Sequence, residues 1–141
     1  MPKQKTQNHV VVTSQDAARL KQLLERAVIG ARDQGLFERL EQELEVADVV
    51  QPEAVPADVI TIHSTVRVRD LDTGEEATYT LVMPRDAYAG SGKISIIAPV
   101  GIALLGQKVG DRVELKAPGG LKRLKVMELL YQPEAAGDYH L

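Results

Sequence analysis

A chain of 141 residues is long enough for one ordinary domain, or for a small domain with an appendage. With 44% hydrophobic and 26% charged residues it suits a folded globular protein, and a net charge of -3 argues against a protein that grips nucleic acid chiefly by its phosphates. It has no cysteine, which excludes disulfides and thiolate metal sites.

The amino terminus, Met1 to Thr6, carries two lysines and no apolar run behind them. No signal peptide and no membrane span are expected, so a cytoplasmic protein is the simplest reading. His9 to Val12 reads as a short strand or extended lead-in. Thr13 to Asp16 matches a capping box, with a hydroxyl residue three places before an acid. Apolar residues then recur at Ala17, Leu20, Leu24 and Ala27, which is one stripe of an α-helix. Gly30 suits the end of that helix. A second stripe follows at Leu36, Leu40, Leu44 and Ala47, in a segment otherwise rich in glutamate. Two amphipathic helices around a turn at Gly30 to Gly35 predict an antiparallel helical hairpin, a short coiled coil. At about 15 residues per helix it spans roughly 22 Å.

From Asp48 to Asp58 the helical period is lost and Pro52 and Pro56 intervene. The expected division is therefore an arm at residues 1–48, a linker at 49–58 and a second domain at 59–141. In that domain Val59 to Ile62, Val66 to Arg69, Ala77 to Met83 and Lys93 to Ile97 read as strands. Val100 to Leu105, between Pro99 and Gly106, is long enough for one or two helical turns. Val109 to Lys116 and Leu121 to Tyr131 read as a hairpin around Pro118, Gly119 and Gly120. The pattern is α+β: a helical hairpin, then a small, mostly antiparallel sheet with one short helix.

The run Ile97-Ala98-Pro99-Val100-Gly101-Ile102-Ala103-Leu104-Leu105-Gly106-Gln107-Lys108-Val109-Gly110-Asp111 resembles the signature of the carboxy-terminal domain of Gre transcript-cleavage factors. So do Ala117 to Gly120 and the closing strand Leu124 to Leu129. The short hairpin and the tail from Tyr131 to Tyr139 are more similar still to the Rnk branch of that family, whose name refers to regulation of nucleoside diphosphate kinase. The resemblance implies a second domain with the fold of the FK506-binding proteins. It also implies binding to RNA polymerase at the rim of the secondary channel, with Ile97, Ala98, Pro99 and Val100 at the matching docking positions. Gre factors often carry an acid and a serine just before that proline; here Ile97 and Ala98 replace them with apolar groups. Packing of Ile97 in the core, and Pro99 simply starting the helix, is the competing reading of these residues.

In Gre factors two acids at the hairpin tip help to hold a second Mg²⁺ in the polymerase active centre. Two-metal hydrolysis needs hard oxygen ligands for that cation. The tip here offers only Asp33, beside Arg32, and an Asp there is favoured as a helix cap in any case. Glu38, Glu41, Glu43 and Glu45 lie away from the turn. With a short arm and one tip acid, the expected function is occupancy of the channel mouth in competition with Gre factors, without stimulation of cleavage.

Other chemistry finds little support. A prolyl isomerase pocket needs aromatic walls, and the second domain has tyrosines but neither Phe nor Trp. His9, His63 and His140 are too dispersed for a metal spacing, no nucleophile elbow is present, and Gly90-Ser91-Gly92 lacks a phosphate-loop context. Catalytic residues, metal and cofactor are accordingly expected to be none. Lys116, Lys122, Arg123 and Lys125 form a modest basic cluster, either a solvated strand edge or a contact for an acidic surface or RNA. An adaptor touching nucleoside diphosphate kinase directly is the alternative function, with an indirect link through transcription at least as plausible. Direct binding of nucleic acid is expected to be weak or absent. The chain is expected to be a monomer, since no long heptad seam demands a partner.

Overall fold

The computed structural model describes residues 10–26, 34–117, 119–139 and 141. Strand β1 (Val11–Thr13) leads directly into α1 (Ser14–Arg26). Thr13 caps that helix, its Oγ1 accepting the Asp16 N–H at 3.0 Å. A second helix of equal length, α2 (Gln34–Val46), runs into β2 (Asp48–Val50). β2 pairs in parallel with β1, Val11 opposite Asp48. A three-residue strand of this kind has no pattern of its own, which is why Asp48 to Val50 reads as the start of a linker in the sequence.

The expected strand from Val59 to Ile62 is not formed. Val59 makes a lone bridge to Lys108, and the chain then turns, Ser64 N–H donating to the Thr61 carbonyl at 3.0 Å. Ile60 and Ile62 are apolar because both are buried. The turn wins locally because the Ser64 hydroxyl accepts the Thr61 N–H at 2.9 Å, giving that backbone group a partner other than a neighbouring strand.

The main sheet has five strands in the order β5-β4-β3-β7-β6. They are β3 (Thr65–Asp70), β4 (Glu76–Val82), β5 (Lys93–Ser95), β6 (Arg112–Ala117) and β7 (Gly120–Tyr131). β3 runs antiparallel to both neighbours, and β6 antiparallel to β7. β5 departs from the antiparallel expectation by joining β4 in parallel, Leu81 opposite Ile94, so the sheet is mixed. The β4–β5 connection contains 3-10 turns at Pro84–Asp86 and Ala89–Ser91, and this long crossover makes a parallel return possible.

Helix α3 (Pro99–Leu104) follows β5, and its Ile102 and Leu104 join the core. A second short helix, α4 (Pro133–Ala136), follows β7, where four residues are too few to show a helical period in the sequence. Gln132 caps it and anchors the tail, its side chain accepting from Ala135 N and donating to the Pro56 and Val59 carbonyls at 2.8 and 2.7 Å.

One apolar cluster unites these parts. Leu20 of α1 and Leu40 of α2 sit in it with Ile60, Ile62, Val66, Ile96, Ile102 and Val126. Each such side chain, removed from water, contributes roughly 1.5–3 kcal/mol. The middle of each helix is therefore part of the same core as the sheet, with Leu23, Leu24 and Leu44 packed against it.

Candidate functional site

The four positions singled out in the sequence, Ile97, Ala98, Pro99 and Val100, form the turn between β5 and α3 and its first helical residues. Pro99 is exposed and opens the helix, where its missing N–H costs nothing. Ile97, Ala98 and Val100 are half-buried, and Ile97 and Val100 rest against the core. The fully buried residue of this stretch is Ile96, and Ile97, just past the end of β5, is partly covered against the core. The turn presents a proline knob flanked by partly covered aliphatic groups.

Ser95 organises it. Its hydroxyl accepts the Ile97 N–H at 3.1 Å and its carbonyl accepts the Ala98 N–H at 3.0 Å. Ala98 then accepts from Ile102 N–H at 2.9 Å, the first bond of α3. Ala98 has no side chain with which to cap the helix, so Pro99 and the backbone set its start. Gly101 holds the turn against the helix: a Cβ there would lie 2.1 Å from the Ser95 carbonyl oxygen. Sequence reasoning missed Ser95 and the reason for Gly101. The signal was a serine four residues before a proline, with a glycine inside so short a helix.

A second polar cluster joins α1 to the turn at Thr61–Ser64. Asp16 is buried; its Oδ2 accepts the Ile62 N–H at 3.0 Å and its Oδ1 accepts from Arg19 Nη1 at 3.3 Å. Burial pushes the Asp16 carboxyl up to about 6, helped by the negative charge of Glu134 and opposed by the Ile62 N–H and Arg19. The capping-box acid is thus spent on a contact 46 residues away. The Thr61 hydroxyl donates to Glu134 Oε1 at 2.7 Å and lies 2.8 Å from Ser64 Oγ. Arg19 also donates to the Leu141 main-chain oxygen.

His63 has a left-handed backbone, φ 77°, and its buried Nδ1 has no partner among the described residues. Burial and the nearby Arg19 charge hold its pKa below the usual histidine value. With Arg19, Leu23, Met83, Arg85 and Asp86 it lines a cavity of about 530 Å³. His9 and His140 lie outside the described residues, as do Arg32, Asp33 and Pro118. Among the described residues no three His, Cys, Asp or Glu side chains are grouped to hold a metal ion, and no helix is long and apolar enough to cross a membrane.

The sequence of residues 55–131 matches the family described as transcription elongation factor GreA/GreB, carboxy-terminal, and residues 8–50 match the Rnk N-terminus. The regulator of nucleoside diphosphate kinase of Escherichia coli strain K12 is 41% identical over 133 residues, covering 94% of this chain and 96% of that one. Transcription elongation factor GreA of Thermotoga neapolitana is 41% identical over 90 residues, covering 64% of this chain and 57% of that protein. Among solved structures, a transcription elongation factor GreA/GreB from Nitrosomonas europaea superposes with a TM-score of 0.70 at 44% identity, covering 87% of this chain and 98% of that one.

Proposed function

We propose, since this chain belongs to the GreA/GreB transcription elongation factor family as an Rnk-type member, that it binds RNA polymerase at the secondary-channel rim and competes there with Gre factors without stimulating transcript cleavage. The chain is a regulator and not an enzyme. In this reading residues 59–141 form an FKBP-like docking module, joined through 49–58 to an arm at residues 1–48. The cytoplasm, where polymerase works, is its place of action.

The observation that carries the proposal is the arm. Each of its helices has 13 residues, about 20 Å at helical rise. Ala17, Lys21, Leu24 and Glu25 of α1 line a common groove with Glu41, Leu44 and Glu45 of α2. The two helices thus lie side by side, as the hairpin reading requires. The segment between the helices holds a single acid, Asp33, next to Arg32. One carboxylate beside a guanidinium is a poor ligand set for Mg²⁺, which needs hard oxygen donors in near-octahedral array. Such an arm fills a channel mouth but does not furnish the second cation.

Docking rests on the turn at Ile97 to Val100, whose Pro99 is the exposed point and whose Ile97 and Val100 supply an apolar flank. Competition then follows from mass action at one shared site. The test binds labelled Gre factor to core polymerase and titrates this protein in. Displacement without cleavage of the transcript in a backtracked complex is the expected result. Failure to displace at saturation, or robust cleavage, rejects the reading.

The name of the Escherichia coli relative favours a second reading, direct contact with nucleoside diphosphate kinase. Co-precipitation of the purified kinase at modest salt, with polymerase absent, supports it; a link that needs transcription leaves the kinase in the supernatant.

A further inference from the structure

The outer face of the sheet carries an unusual arrangement of charge, bounded at its β6 edge by a pocket in which Arg112 stands with Glu43 and Val46 of α2, Ala103 of α3 and Glu114. Val113, Leu115, Leu124, Val126 and Val68 point inward and are buried, so the alternate residues of these strands face out. The register sets Arg69 opposite Lys125, and Lys125 opposite Arg112. Three cations therefore lie in one row across three adjacent strands, about 4.8 Å from strand to strand. Like charges directly opposite one another destabilise a sheet. Two residues further along β6, past Glu114, Lys116 stands opposite Leu121 on the same face.

Elsewhere on this face the cations are matched. Arg67 bonds Glu76 and Glu128 at 2.8 and 2.9 Å, and Arg69 bonds Glu76 at 2.7 Å. Arg123 pairs with Asp72. Arg112, Lys116 and Lys125 have no ion-pair partner among the described residues. The three stand together in a chain whose overall charge is -3. Opposite Lys116, at the turn end of the hairpin and beyond the Glu114–Arg123 pair, Leu121 is 59% exposed.

We propose that this outer face, centred on Arg112, Lys125, Lys116 and Leu121, is a docking surface for an acidic, amphipathic segment of another protein. The unmatched cations select a negative partner by charge complementarity, which governs specificity and association rate. The exposed leucine selects a protein over a nucleic acid, because an apolar side chain finds a match in the apolar core of a protein interface and none on a phosphate backbone. Single-stranded nucleic acid is bound on exposed aromatic side chains, and the outward residues of β6 and of β7 from Leu121 to Lys125 include none. The surface does not depend on the docking proposed above.

The probe is a fluorescein-labelled peptide of glutamate and leucine at amphipathic-helix spacing, titrated with the full chain and read by anisotropy. Saturable, salt-sensitive binding is expected, weakened about tenfold or more in R112Q/K125Q, as removal of central contacts demands. That double variant should melt no lower than the parent, because it relieves repulsion. A second variant, Leu121→Ser, should weaken the peptide without altering the melting temperature. Absence of saturable binding, equal affinity in parent and variants, or equal affinity for a single-stranded oligonucleotide of the same charge overturns the proposal.

Discussion

His63 carries two local costs at once. A left-handed backbone at a non-glycine residue costs about 1–2 kcal/mol, and its buried Nδ1 lacks a partner among the described residues. His63→Gly accepts the same φ without strain. The variant is expected to be more stable by about 1 kcal/mol, after the entropy of a freer unfolded chain is subtracted; a urea midpoint that moves down contradicts the strain argument. Asp16 makes a different kind of prediction. Its folded pKa, about 6, lies above its ordinary value of 3.8, so the native state holds the proton more tightly. Its contribution to stability is thus fully present below pH 3.8, falls as the pH rises, and is lost above about 6. Across that window it amounts to at most about 3 kcal/mol. Asp16→Asn keeps an oxygen for the Ile62 N–H and removes the titration. Subtracting its urea stability from that of the parent, pH by pH, should leave a difference that grows in the parent's favour on acidification through pH 6. A flat difference places the titration elsewhere.

At the scale of elements, the junction of β5 with α3 is the tightest approach of backbone to helix in the candidate docking region. A methyl group at Gly101 would sit 2.1 Å from the Ser95 oxygen, a backbone atom that cannot swing aside. Gly101→Ala should displace α3 from its seat, cost at least about 2 kcal/mol by overpacking, and weaken competition with Gre factors in step. Full competition in a destabilised G101A would detach the turn from docking. The presence of α3, β3, β4, β6 and β7 was legible in the sequence, because each has the period or the punctuation of its type. Other features were not. β2 has three residues and exists only by pairing with β1. Val59 to Ile62 has the composition of a strand, yet side-chain hydroxyls at Thr61 and Ser64 divert it into a turn. The parallel seat of β5 depends on where the crossover ends, and no local pattern encodes that. In the candidate site the apolar motif could be read directly, whereas the role of Ser95 is a hydrogen bond to a backbone only two residues away, indistinguishable in sequence from any loop serine. The long-range bond of Asp16 was hidden for the opposite reason, since a capping-box acid already has a sufficient local explanation.

For the whole molecule, the question is whether the proposed arm is a hinged appendage or a fixed prong, because the proposed occlusion of a channel mouth requires a fixed one. Three contacts argue for a fixed one. Asp16 ties the first turn of α1 to Ile62, Arg19 ties it to the Leu141 oxygen, and Leu20 and Leu40 are buried in the core of the sheet. The tail supports the same joint, with Gln132 and Glu134 holding the stretch from Pro56 to Thr61. A chain built this way should unfold its two helices and its sheet in one cooperative step. Leu20→Ala separates the alternatives, since Leu20 belongs to α1 by sequence and to the common core by packing. Truncating it should cost about 2–5 kcal/mol. If the prong is fixed, that loss reaches the central strands: amides of β3 and β7 should exchange with solvent faster by the same factor as those of the first turns of α1. If the arm is hinged, only α1 and α2 accelerate while β3 and β7 keep their protection. Such a split in exchange would remove the geometric basis for occlusion while leaving the docking turn intact.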